Sequence, residues 1–164
     1  MGDFDDVLQA NESYAASYVH DGRPGQAQRG LAVVTCMDSR IDPLSMLGLQ
    51  KGDAKILRNA GGRVTGDVLR TLVLATHLLG VDRVLVVEHT DCKMASATDD
   101  EVHAEIERRA GLDTRSLEFH TMQDQLATLT RDVQRVRSSP YLAKGVRVAG
   151  FLYDVKTGRL SELV

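Results

Sequence analysis

Five residues in two short stretches carry the chemistry open to this chain: Cys36, Asp38 and Arg40 in Thr35-Cys-Met-Asp-Ser-Arg40, and His89 and Cys92 in Glu88-His-Thr-Asp-Cys92. Cys36 and Cys92 are the 2 cysteines of the whole sequence. Two thiolates and an imidazole brought together make a tetrahedral metal site with one place left over, and sulfur with nitrogen favours zinc. His-x-x-Cys is itself a ligand spacing seen at zinc sites, but Cys36 lies far ahead of His89, so only the fold can bring it there. The competing readings of the thiols are inert buried side chains or a disulfide. Asp38 and Arg40 alone would be a surface ion pair of little worth. Beside a metal they acquire roles. Zinc carrying two thiolates is nearly neutral and acidifies its water less than an all-histidine site would. A carboxylate at Asp38, kept ionised by Arg40, can accept the hydrogen of the zinc-bound hydroxide and aim its lone pair at an electrophile. It can also swing onto the metal as a fourth ligand and switch the site off. Asp91, between the two ligands of the second stretch, either hydrogen-bonds locally or orients a ligand. His77, His103 and His120 read as satisfied or solvated imidazoles, and His20 falls in a loop.

The elements around these residues are those of an α/β protein. Leu31 to Val34 and Val84 to Val87 are apolar runs that suit strands covered on both faces, and ligands in such folds bind beyond the carboxyl ends of the strands. Between them, Asp42-Pro43 is an N-cap with proline at the first helical position, so a short helix runs to Leu47 or Leu49. A strand at Ala54 to Leu57 ends in Arg58-Asn-Ala-Gly-Gly62, whose adjacent glycines let backbone approach a ligand. From Val68 to Leu79 the chain is apolar nearly all round, which predicts a helix buried on most faces and a second covering layer, most simply another subunit. Thr98-Asp-Asp-Glu101 is a capping box opening a helix that Gly111 stops. A helix from about Met122 to Val136 follows, then a strand from Val146 to Tyr153, a turn at Lys156-Thr-Gly158 and a short returning strand. Residues 3–18 form an amphipathic helix and Val19 to Gly30 a loop. That helix either packs on a partner subunit or folds back on its own sheet.

At 164 residues, with 43% hydrophobic and 26% charged residues, the expectation is one globular domain spanning 1–164, with 1–30 as a helical arm and loop. A net charge of -3 gives no reason to expect nucleic acid or an anionic membrane as partner. The acidic start Met-Gly-Asp-Phe-Asp-Asp is unlike a signal peptide, no run approaches a membrane span, and two cysteines suit a metal site in a reducing compartment, so a soluble cytoplasmic protein is expected.

In order and spacing, Cys36-Met-Asp38-Ser-Arg40, Gly52-Asp-Ala54 with Arg58-Asn-Ala-Gly-Gly62, His89-Thr-Asp-Cys92 and the tail Gly150-Phe-Leu-Tyr-Asp-Val-Lys-Thr-Gly158 resemble the beta class of carbonic anhydrases, in particular its small prokaryotic branch. The resemblance implies one zinc per subunit on Cys36, His89 and Cys92, an Asp38–Arg40 dyad, and reversible hydration of carbon dioxide to bicarbonate and a proton. It implies a mainly parallel sheet flanked by helices, with a C-terminal antiparallel strand or hairpin and an N-terminal helical arm reaching across a neighbour in a homodimer or a dimer of dimers. Carbon dioxide would lie in a small apolar pocket near Asn59, Ala60, Gly61 and Gly62. Two positions depart from the family pattern: Lys93 stands where glycine is expected and Glu88 where histidine is common. The chain has 0 tryptophans, so the bicarbonate-inhibited subclass, whose separate anion site uses one, is not supported. The rival functions are hydrolysis of carbonyl sulfide or carbon disulfide on the same scaffold, and a zinc protein with a structural or regulatory role and no turnover. A thiol redox protein is disfavoured by the lack of a Cys-x-x-Cys motif.

Overall fold

The computed structural model describes residues 2–164. Strands β1 (Leu31–Cys36), β2 (Ala54–Asn59), β3 (Arg83–His89) and β4 (Arg147–Tyr153) pair in parallel, and β5 (Leu160–Glu162) pairs antiparallel with β4, giving the spatial order β2-β1-β3-β4-β5. Parallel neighbours need crossovers, and helices supply them: α2 (Pro43–Met46) between β1 and β2, α3 (Gly66–Leu78) between β2 and β3, and α4 (Asp99–Ala110) with α5 (Gln125–Arg137) between β3 and β4. Helix α1 (Asp5–Ser17) precedes the sheet. This is the α/β architecture expected, including the C-terminal antiparallel strand and the N-terminal helix.

Every residue of β1 is buried, as its central place requires, and Ala32, Val33 and Val34 are fully so. On one face, Ala32, Val34, Val84 and Val86 pack with Val68 and Leu72 of α3 and Leu129 and Val133 of α5. Each buried valine or leucine contributes roughly 1.5–3 kcal/mol. Gly150 lets α5 lie directly on β4, because a Cβ there would come within 2.9 Å of Val133 and 3.0 Å of Leu129.

Several boundaries move in ways that matter for the site. The apolar runs end at Val34 and Val87, but backbone pairing continues, so Cys36 is the last residue of β1 and His89 the last of β3 rather than lying beyond them. The register sets Cys36 beside Asn59 and His89 beside Tyr153, which brings the four strand ends to one edge. The price in polar burial is visible: Thr35 and Glu88 are both fully buried.

Helix α5 begins at Gln125 behind its N-cap Asp124, so Met122 is in the preceding loop, not in the helix. Asp99 fastens that loop by accepting from the backbone of Phe119 and Thr121 and from the Thr121 hydroxyl at 2.6 Å, and these hydrogen bonds, the hydroxyl's first, hold its carboxyl down at about 2. The Thr98–Glu101 capping box and the left-handed C-cap Gly111 bound α4 as its sequence predicts.

Two helices expose more apolar surface than a sheet cover should. Helix α3 buries Val68, Leu72, Ala75 and Thr76 but leaves Leu74 and Leu78 in solvent, so within this chain alone it is buried on one side only. Helix α1 buries no residue and exposes Phe4, Val7 and Leu8, so it is not folded back on its own sheet. Among the described residues, no helix is long and apolar enough to cross a membrane.

Candidate metal centre

The ends of β1 and β3 bring Cys36 and His89 together, and the turn after β3 returns Cys92 to them. The ligand-capable atoms of the three lie within 4.8 Å of one another, and all three residues are buried. Both cysteines are free thiols, which removes the disulfide reading.

His89 shows which way the centre points. Its Nδ1 lies 2.8 Å from the Thr90 carbonyl oxygen, so Nδ1 carries the proton and Nε2 keeps its lone pair. Nε2 is buried with no hydrogen-bond partner among the described residues, an arrangement that costs free energy unless something else binds there. An orphaned imidazole nitrogen facing two thiols is the donor set of a zinc site, so these residues fit the metal. Gln125 donates to the His89 carbonyl at 2.9 Å and steadies the strand end from the side of α5.

Cys36 is drawn toward the thiolate by donors around its sulfur, the Cys92 thiol foremost, and by backbone amides that include Gly61 N–H at 3.3 Å. Cys92 is pushed the opposite way by that same hydrogen bond and by burial, so it is the thiol that holds its proton more tightly. A cation would displace that proton. Met46, Met94 and Met122 pack around the two thiols with Ile41 and Tyr153.

The turn Asn59–Gly62 is a structural support of the centre. The Asn59 side chain closes it, donating to the Arg63 carbonyl and accepting from the Arg63 amide, both at 2.8 Å. Gly61 and Gly62 have positive φ of 79° and 67°. At Gly62 a Cβ would meet the backbone of Thr35, Cys36 and Val87 at 3.0 Å, so the turn presses against both ligand strands as only glycine permits. Arg58, which carried no assigned role in the sequence, donates to the carbonyls of Cys36 at 2.9 Å and Asp38 at 2.7 Å and shapes the turn that follows β1. Its place in the Arg-Asn-Ala-Gly-Gly stretch was the available signal.

Asp38 and Arg40 form the expected pair. Arg40 donates from Nε to Oδ1 at 2.9 Å and from a terminal nitrogen to Oδ2 at 2.7 Å, and its backbone amide adds a third bond to Oδ1 at 2.9 Å. The guanidinium first, and that amide second, hold the Asp38 carboxyl far below the ordinary range, so it is ionised at any working pH. Asp38 Oδ2 lies 3.9 Å from His89 Nε2, at the lip of the centre. Asp91 neither bonds locally nor orients a ligand: it pairs with Arg40 at 2.7 Å across the site.

The two departures have plain structural settings. Lys93 opens a 3-10 turn (Lys93–Ala95) with its side chain exposed and its φ negative, so the backbone there has no need of glycine. Glu88 is fully buried and neither carboxyl oxygen has a hydrogen-bond partner among the described residues. Burial, then the charge of Asp132, pushes it up to about 8. The other histidines lie elsewhere: His77 bonds the Tyr141 carbonyl and the buried His103 bonds the Thr114 hydroxyl.

A carbonic anhydrase family model matches residues 31–160. Beta-carbonic anhydrase 1 of Mycobacterium tuberculosis is 36% identical over 97% of this chain and 96% of its own length. A carbon disulfide hydrolase of an Acidianus strain is 34% identical over 96% of this chain and 87% of its own length. Among solved structures, a carbonic anhydrase from Streptococcus mutans superposes with a TM-score of 0.92 at 36% identity, covering 100% of this chain and 99% of that one. With the sheet, the strand-end centre and these likenesses in agreement, the chain belongs to the beta-carbonic anhydrase family.

Proposed function

We propose that the chain catalyses the reversible hydration of carbon dioxide to bicarbonate and a proton, with zinc held by Cys36, His89 and Cys92. The observation that carries this reading is the buried, unpartnered His89 Nε2 facing two thiols. When bound, the zinc would lower the pKa of a water in its open position and so supply a nucleophile near neutral pH. The protein does the rest. Asp38, ionised and clamped by Arg40, accepts a hydrogen bond at the lip of the centre and fixes the direction of the attacking oxygen's lone pair. Because that carboxylate stays charged, it does not store the released proton, which leaves to solvent and buffer. The turn of Asn59, Ala60, Gly61 and Gly62, pressed close against the ligand strands, would wall one side for a small linear substrate.

Carbon disulfide or carbonyl sulfide hydrolysis is the second reading, supported by the Acidianus relative and by the thioethers around the thiols. Stopped-flow carbon dioxide hydration and sulfide release from carbon disulfide, both on zinc-loaded protein, separate the two. A rate above buffer that rises with pH supports the first, while sulfide release without carbon dioxide hydration would replace it with the second.

We further infer a cytoplasmic homodimer or dimer of dimers. The exposed apolar residues of α1 lie among Asp3, Asp5, Asp6 and Glu12, and a groove of about 490 Å³ on the sheet carries Arg29, Arg83, Arg137 and Arg147 around Leu85 and Phe151. An acidic, apolar helix from a second copy is complementary to it. Light scattering reads the outcome, and a monomer at micromolar concentration would count against it.

A further inference from the structure

One residue beside the centre adopts an unfavourable backbone: Asp91, between the ligands His89 and Cys92, has φ 55°, one of two non-glycine residues with positive φ among the described residues. Such conformations persist where surrounding contacts over-determine them. The contacts here are with Arg40, 51 positions away: one terminal nitrogen donates to Asp91 Oδ2 at 2.7 Å and the other to the Asp91 carbonyl at 3.0 Å. The opposite edge of the same guanidinium holds both oxygens of Asp38. We propose that Asp91 is a positioning residue for the reaction: it clamps the outer side of Arg40 and, through Arg40, holds the Asp38 carboxylate at the lip of the Cys36–His89–Cys92 centre.

The proposal rests on the function assigned to that centre above. Its physical basis is the rigidity of the guanidinium, a flat fork whose plane is fixed once two of its edges are engaged. Asp38 alone does not fix it, because Asp38 and Arg40 sit two residues apart on one turn and move together. Asp91 belongs to the turn after β3, which leaves directly from His89 and delivers Cys92, so its bond ties the carboxylate to the frame of the ligands. The side chain of Asp91 is 67% exposed and that of Arg40 45%, so the pair adds little to stability. What it supplies is orientation, and loss of orientation lowers turnover without affecting a substrate that Asp91 does not touch.

Two variants isolate the carboxylate from the backbone. Asn and Gly both tolerate a left-handed conformation, so Asp91→Asn keeps the turn and removes the charge, and Asp91→Gly keeps the turn and removes the whole side chain. In full-length, zinc-loaded protein each should lower kcat for carbon dioxide hydration roughly tenfold, within the range a small misplacement of a catalytic group produces. KM, zinc content and melting temperature should stay at their wild-type values. In an Arg40→Gln background, adding Asp91→Asn should cause no further loss, since the clamp acts only through Arg40. Wild-type kcat in both variants overturns the proposal, as does recovery by Gly but not Asn, or a loss that multiplies with Arg40→Gln. Visible spectra of the cobalt-loaded proteins give a readout that does not depend on turnover: a freed Asp38 changes the metal's surroundings, so the bands should shift in both variants and not when Asp91→Asn is added to Arg40→Gln. If the wild-type zinc protein hydrates no carbon dioxide, the assigned reaction fails, and the cobalt spectra still decide the clamp, with unchanged bands overturning it.

Discussion

Asp38 and Glu88 are acidic residues of similar chemistry placed on either side of one centre, and the protein holds them in opposite states. Asp38 follows the end of β1, at the mouth, with three hydrogen bonds from Arg40 that keep it charged. Glu88 is the last residue before the ligand His89, on the floor, fully buried and without a hydrogen-bond partner among the described residues, so it keeps its proton to about pH 8. The half-buried Arg63 is committed to Asp132 at 2.7 Å and offsets only part of the repulsion that Glu88 meets from that second carboxylate. A carboxyl's state is thus set by which neighbour reaches it first, not by its distance from the metal ligands.

The largest test of that contrast removes each charge with an isosteric amide. Asp38→Asn should lower carbon dioxide hydration roughly 100-fold, the scale set by losing one preorganised polar group at a reacting centre, with zinc content unchanged. Glu88→Gln should leave the rate within about threefold, because the wild-type group is already neutral. Equal losses in the two variants would break the comparison.

Stability against pH sharpens it. The folded pKa of Glu88 is raised to about 8 from an ordinary 4.5. Between those values the unfolded chain gives up a proton that the folded chain keeps, so Glu88 lowers stability progressively as pH rises through this window. Glu88→Gln should remove that slope, and melting temperatures of the two proteins should converge below about pH 4.5 and separate toward pH 8. Parallel curves across the range would show that Glu88 is not neutral in the fold. The smallest effect is expected at the mouth itself: Lys93 is exposed, its charge is screened by solvent, and Lys93→Gly should change the hydration rate less than about twofold, as stopped-flow traces at low and high salt would show.

Much of this was legible in the chain. The apolar runs at Leu31 and Val84, the Thr98 capping box and the Asp42-Pro43 helix start are local signals, and each element formed where its signal lay. The strand ends were less legible, because Thr35, Cys36, Glu88 and His89 look polar yet are drawn into the sheet by continued pairing with their neighbours. Met122 illustrates the reverse error: it fits a helical stripe, but Asp124 caps α5 after it and leaves it to pack beside the thiols.

The sequence by itself determined the α/β order of elements and the residue types of the centre, since hydrophobic period, caps and ligand chemistry are written in neighbouring positions. Only the tertiary structure decided that Nε2 of His89 is the nitrogen left free, that Asp91 reaches Arg40, and that Glu88 is a neutral acid. The last two depend on groups far apart in the chain, the Asp91–Arg40 pair being separated by 51 positions and Glu88 feeling the charge of Asp132 on α5, and the first on the adjacent Thr90 carbonyl, which the folded strand end turns toward Nδ1.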